Sequence, residues 1–111
     1  MTSVRFYMSQ DGIYLAFETE GHAGHGNAGN DIVCAAVSAA TELVITILEQ
    51  FSVELRLDIH EESARIRCEV AGFPDEKTRH TAKRVLDGYR KYLSEVSQEY
   101  PHNLKCRMIT E

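Results

Sequence analysis

Between Ser52 and Val70 the chain alternates apolar and polar residues twice over. Val53, Leu55, Leu57 and Ile59 interleave with Ser52, Glu54, Arg56 and Asp58. After His60-Glu61-Glu62-Ser63, residues Ala64, Ile66, Cys68 and Val70 interleave with Arg65, Arg67 and Glu69. Successive side chains on a strand point to opposite faces, so this period of two predicts an antiparallel hairpin with one buried and one solvated face. The sheet it belongs to needs cover on one side only.

The remaining segments supply that cover. Val4, Phe6 and Met8 alternate with Arg5 and Tyr7, Asp11-Gly12 is a turn signal, and Ile13, Leu15 and Phe17 then alternate with Tyr14, Ala16 and Glu18. This predicts a first hairpin. From Asp31 to about Gln50 apolar residues crowd nearly the whole circumference of a helix, which predicts a buried one. Its first half is rich in alanine, so another backbone can approach closely, either in the core or in a helix–helix dimer contact. Gly72-Phe73-Pro74-Asp75 breaks the chain before a second helix, whose stripe is Ala82, Val85, Leu86, Tyr89, Leu93, Val96 and Tyr100. The tyrosines at 89, 92 and 100 are read as helix packing. Gly88 costs that helix roughly 1 kcal/mol against Ala, with no reason visible in the sequence. Pro101 ends it, and Leu104, Cys106 and Met108 alternate with Lys105 and Arg107 in a last strand. The order is ββαββαβ in a single domain over residues 1–111: an α+β two-layer sandwich, a five-stranded sheet with two helices on one face.

Between the first hairpin and the first helix lies the block with chemistry in it, Gly21-His22-Ala23-Gly24-His25-Gly26-Asn27-Ala28-Gly29-Asn30-Asp31. Its glycines and asparagines predict a loop, with Gly24, Gly26 and Gly29 giving it the freedom to close over a bound peptide. Asn30 or Asp31 is suited to cap the helix that follows. Cys34 then falls in the first turn, where the helix dipole favours thiolate. His22 sits just past a strand end and can fold back onto that thiol. A thiol with an imidazole in reach is the pairing that cysteine hydrolases use.

On Gly21-His22-Ala23, the glycine loop, Asp31-Ile32-Val33-Cys34-Ala35 and Ser38, the chain resembles the ribosomal-processing cysteine proteases. The family often has an aromatic residue near position 28, where this chain has Ala28. The resemblance implies an endopeptidase that removes a short N-terminal extension from a large-subunit ribosomal protein, cutting after an aromatic-containing segment. It implies Cys34 as nucleophile and His22 as general base and then general acid, with Asp31, Ser38, Gly21, Gly24, Gly26 and Gly29 as supporting or substrate-binding positions. It also implies a homodimer.

Composition narrows the field independently. A chain of 111 residues with a net charge of −5 is a poor general nucleic-acid binder and suits a basic partner such as a ribosomal protein. The N-terminal segment lacks the pattern of a signal peptide. The apolar run from Ile32 to Leu48 is interrupted by Ser38, Thr41, Glu42 and Thr46, so no membrane span is expected. Three cysteines, an odd number, fit a reducing cytoplasm rather than a disulfide framework.

Each candidate has a plainer reading. Cys34 alone is a small buried hydrophobe, as free cysteines usually are. His22 is a loop histidine bonded locally. Asp31 is a first-turn acid, and Ser38 a hydroxyl bonded back to the carbonyl of residue 34. Backbone N–H groups around Cys34 offer an oxyanion hole. Cys68 and Cys106 face inward and read as core. His22, His25 and Cys34 do not have zinc-ligand spacing, so no metal or other cofactor is expected. A non-enzymatic ribosome-assembly or peptide-binding module is the alternative from another class, and a small metal-binding protein a further one.

Overall fold

The computed structural model describes residues 1–21 and 28–111; His22, Gly24, His25 and Gly26, singled out above, lie outside them. The elements are β1 (Thr2–Met8), β2 (Tyr14–Glu20), α1 (Ala28–Gln50), β3 (Glu54–His60), β4 (Arg65–Gly72), α2 (Glu76–Glu99) and β5 (Leu104–Thr110). The strands form one mixed sheet in the order β3-β4-β2-β1-β5. β1 pairs parallel with β5, and the other pairings are antiparallel. The order ββαββαβ and the two-layer α+β sandwich match the expectation.

One polar-to-apolar alternation is broken by a bulge. Tyr7 pairs with Ala16 but Met8 pairs with Tyr14, leaving Leu15 as the extra residue of β2. An extra residue reverses the parity of the strand beyond it. Tyr14 therefore points at the helix layer, where its hydroxyl meets Asp87 Oδ1 at 2.6 Å, while Ile13 and Leu15 are exposed. The turn itself is tight, with Ser9 N–H donating to the Ile13 carbonyl and Gly12 in the left-handed region at φ 80°, the conformation glycine adopts without strain.

The core lies between the sheet and the helices. Val4 and Phe6 of β1, Phe17 of β2 and Cys68 of β4 meet Val33, Val37 and Leu48 of α1 and Leu86, Tyr89 and Leu93 of α2. Tyr89 is the hub, edge-on to Phe6 at 5.5 Å and to Phe17 at 5.2 Å between ring centroids. α2 is fixed at its start by Asp75, whose Oδ1 accepts the Thr78 N–H at 2.7 Å, a side-chain cap.

Four sequence expectations need correcting. α1 is not buried all round: Ile32 is 51% and Leu43 61% exposed, because a helix resting on a sheet with one neighbouring helix has a free flank. By length and composition Asp31–Gln50 is also apolar enough to cross a membrane, although in this fold it is seated on the sheet through Val33, Val37, Val44 and Leu48. The β3 face expected to be buried is open at Leu57 and Ile59, 48% and 60% exposed. Two helices of about 10 Å diameter cover roughly four strands at about 4.8 Å spacing, and β3 is the outermost. Tyr92 is likewise exposed rather than packed.

Candidate active site

α1 begins at Ala28, earlier than the Asn30 or Asp31 cap expected from sequence. Gly29 and Asn30 are poor helix formers, which is why the sequence places the start later. The consequence is chemical. Cys34 lies in the second turn, and the dipole fades within the first. The N–H of Cys34 belongs to the helical ladder, which in an α-helix points it at the carbonyl four residues back. The unpaired N–H groups of the first turn belong to earlier residues, so an oxyanion hole built on the Cys34 N–H is not available in this helix. Asp31 stands exposed in the first turn.

Cys34 is half-buried on α1 between the buried Val33 and Val37, which fix the helix face and turn the sulfur toward the end of the sheet. There its Sγ is 3.5 Å from Thr2 Oγ1 at the start of β1. It opens on a cleft of about 220 Å³. Cys34, Val37 and Ser38 form the α1 wall, Thr2, Glu20 and Gly21 the floor at the ends of β1 and β2, and Ile59, His60, Glu61 and Ile66 the opposite wall. The cleft thus has apolar sides and a charged rim, with Arg65 also at its edge.

The hairpin wall is held to the floor by backbone. The Gly21 N–H donates to the Ala64 carbonyl at 3.4 Å, and Ala64 itself lies at φ 50° in the turn between β3 and β4. Gly21 sits so close to β1 that a Cβ there would lie 2.8 Å from Thr2 Oγ1 and 2.9 Å from Thr2 Cα. Gly21 is thereby required by close approach, not by an unusual φ.

Of the sequence candidates, the structure brings Cys34, Ser38 and Gly21 into one cleft. Ser38 is exposed on its rim, and among the described residues its hydroxyl makes no back-bond to the carbonyl at 34. His22, Gly24 and Gly26 lie outside the described residues, and of Gly29 only its place in α1 is described. The other cysteines are elsewhere. Cys68 is fully buried, and burial, with Glu49 and Glu69 adding to it, pushes its thiol up to about 12. Cys106 donates toward the Leu93 carbonyl at 3.6 Å, and burial raises its pKa as well. Neither is in a state to act as a nucleophile at neutral pH. Among the described residues no group of three His, Cys, Asp or Glu side chains is placed to hold a metal ion. Sequence reading missed Thr2 and the hairpin wall; Thr2 was detectable as the one hydroxyl in the inward row Thr2, Val4, Phe6, Met8.

Comparisons with known proteins agree with this fold. The ribosomal processing cysteine protease Prp of Bacillus subtilis is 31% identical over 98 residues, covering 87% of this chain and 88% of that protein. Among solved structures, an essential ribosomal processing protease Prp from S. aureus in complex with a substrate peptide superposes with a TM-score of 0.83 at 21% identity, over 97% of this chain and 99% of that one. A protein from Streptococcus mutans superposes with a TM-score of 0.81 at 24% identity, over 100% of this chain and 96% of that one. At these identities the two structures speak for the fold. The match that carries the assignment runs from residue 1 to residue 105, and by it the chain belongs to the cysteine protease Prp family.

Proposed function

We propose that this chain is an endopeptidase that trims the N-terminal extension of a large-subunit ribosomal protein, with Cys34 as nucleophile and His22 as its base. The observation that carries the reading is the placement of the Cys34 sulfur at the mouth of an apolar-walled cleft in a chain of this family. The B. subtilis relative is named for ribosomal processing, and the S. aureus relative was solved with a substrate peptide and with a covalently linked product peptide.

In this mechanism His22 takes the thiol proton and the Cys34 thiolate attacks the scissile carbonyl. The tetrahedral intermediate collapses as the imidazolium gives its proton to the leaving amine. Water, activated by the same imidazole, then hydrolyses the thioester. Ile59, Ile66 and Val37 offer apolar walls to the peptide, and the net charge of −5 favours a basic protein. Asp31 and Ser38 flank the sulfur on α1 as supporting groups. Neither a cofactor nor nucleic acid enters the scheme, and the reaction belongs in the cytoplasm.

A homodimer fits the exposed flank of α1, where Ile32, Ala35, Ala39 and Leu43 face outward at helical spacing. Contiguous apolar surface of this kind marks an interaction face. Leu43→Glu is expected to shift the protein to monomer in size-exclusion chromatography with light scattering.

The decisive experiment is incubation with the precursor ribosomal protein from the same cell, followed by mass measurement. Wild type is expected to remove a single N-terminal peptide, and Cys34→Ala and His22→Ala to leave the precursor intact. Cleavage by Cys34→Ala would overturn the mechanism, and binding without cleavage by wild type would favour a peptide-binding module.

A further inference from the structure

We propose that Thr2 is a positioning residue for Cys34, its hydroxyl holding the sulfur in place and donating to it in the thiolate state. The inference rests on the reading of Cys34 as nucleophile. It starts from a local anomaly: the inward row of β1 is Thr2, Val4, Phe6 and Met8, and its one polar member is only 6% exposed. A hydroxyl at a buried position needs a partner, and the partner of Thr2 Oγ1 is Cys34 Sγ at 3.5 Å, an ordinary distance for a bond to sulfur.

Thr2 is held from both sides. The Thr2 N–H donates to the Asn103 carbonyl at 2.9 Å, and Thr2 is paired with Leu104 of β5. Gly21 of the neighbouring chain segment packs against the Thr2 Cα and Oγ1 so closely that no side chain fits between them. Thr2 is therefore a fixed point of the sheet, whereas Cys34 is on a helix whose dipole acts mainly one turn earlier. A hydroxyl donated to the charged form favours that form, and a bond from a rigid strand also limits the sulfur to one rotamer, the condition for attack on a carbonyl held in the cleft. Thr2 forms no bond to substrate in this scheme and exchanges no proton.

The test uses alkylation, which needs no substrate. Iodoacetamide labelling of Cys34 is followed against pH by mass spectrometry for wild type, Thr2→Val and Thr2→Ser, with Cys34→Ala as the blank for Cys68 and Cys106. Valine keeps the shape and removes the hydroxyl. Among the described residues the other charged and titratable groups lining the cleft are Glu20 from β2 and His60, Glu61 and Arg65 from the β3–β4 hairpin; none of them is altered. Thr2→Val is expected to lower the labelling rate at pH 7 roughly three- to tenfold and to move the rise in rate to higher pH, while Thr2→Ser stays with wild type. Thr2→Ser against Thr2→Ala repeats the comparison with small side chains should valine unsettle the strand. Coincident profiles for the variants with and without a hydroxyl would overturn the proposal. The two readings fail separately: if Cys34→Ala still cleaves the precursor, the nucleophile is wrong whatever the labelling shows, and if wild type cleaves while the profiles coincide, Thr2 alone is wrong.

Discussion

Gly21 and Thr2 are packed backbone to backbone, so that a methyl group on Gly21 would stand 2.9 Å from the Thr2 Cα. A clash with a side-chain tip is relieved by a rotamer change, but a clash with the main chain is not. Gly21→Ala is therefore expected to part the ends of β1 and β2, displacing the floor of the cleft under Cys34. Overpacking of this kind costs about 1–3 kcal/mol, and a displacement near 1 Å at a reacting group costs on the order of 100-fold in rate. Thermal melting and single-turnover cleavage measure the two effects. Adding Thr2→Ala to Gly21→Ala is expected to restore little, because the clash with the Thr2 main chain remains; full recovery of stability would show that the Thr2 hydroxyl alone was in the way.

A second prediction concerns the buried polar pair between the helices. Thr41 Oγ1 is 2.6 Å from the Val37 carbonyl and 2.7 Å from Tyr89 Oη. The threonine has one proton, and the carbonyl can only accept, so Tyr89 donates to Thr41. Removing the two hydroxyls is then unequal. Thr41→Val leaves the Tyr89 hydroxyl buried without an acceptor, at about 1–3 kcal/mol, whereas Tyr89→Phe leaves Thr41 still donating to Val37, at about 0.5–1.5 kcal/mol. The double variant is expected to lose less than the sum of the two. Urea unfolding of the three variants checks this order, and a larger loss for Tyr89→Phe would reverse the assigned direction of the bond.

The elements of the fold were legible because each carries its own period: two in the Val53–Val70 hairpin, three to four in Ala82–Tyr100. The bulge at Leu15 was not, since one inserted residue leaves no mark in composition and shows only as a parity change against β1. The exposure of Leu57 and Ile59 was hidden because an edge strand and a central one have the same alternation; only the width of the helix layer separates them. At the site, Cys34 and Gly21 were legible from the loop-to-helix block. Ile59, His60 and Ile66 were not, because they reach Cys34 through the pairing of β4 with β2, a long-range choice that local patterning does not contain. Thr2 escaped because a polar residue at a strand end looks like the end of the strand.

A third prediction follows from the open sheet face, where Glu18 is buried among arginines. Its carboxylate accepts from Arg5 Nε at 2.9 Å, from Arg65 at 2.9 Å and from Arg67 at 3.4 Å. Burial pushes its pKa up, but the bonds from Arg65 and Arg5 outweigh this, and the group is held below the ordinary value of 4.5. The unfolded chain thus takes up this proton at higher pH than the folded one. The stability Glu18 contributes is fully present above pH 4.5 and is lost as the pH falls through its folded value. Glu18→Gln is expected to cost about 1–3 kcal/mol at pH 7 and progressively less below pH 4.5. Denaturant unfolding at pH 7 and pH 3 measures the gap, and a gap that widens on acidification would contradict the sign.

The last prediction concerns Gly88, in the middle of α2, for which the sequence offered no reason. The structure offers none either: the position is exposed, and a Cβ built there meets nothing within 4 Å. Neither a positive φ nor a close approach calls for glycine at this point. What remains is its cost, the extra backbone freedom that glycine loses when fixed in a helix. Gly88→Ala is expected to stabilise the domain by about 0.5–1 kcal/mol, raising the melting temperature by about 2–8 °C in a domain near this size. Gly88 is not among the residues lining the Cys34 cleft, so cleavage of the ribosomal precursor should be unchanged. Differential scanning calorimetry reads the first effect and a single-turnover assay the second. A destabilised Gly88→Ala would mean that something packs on this face of α2 in solution, and a stable but inactive one would place that packing on the path of the substrate.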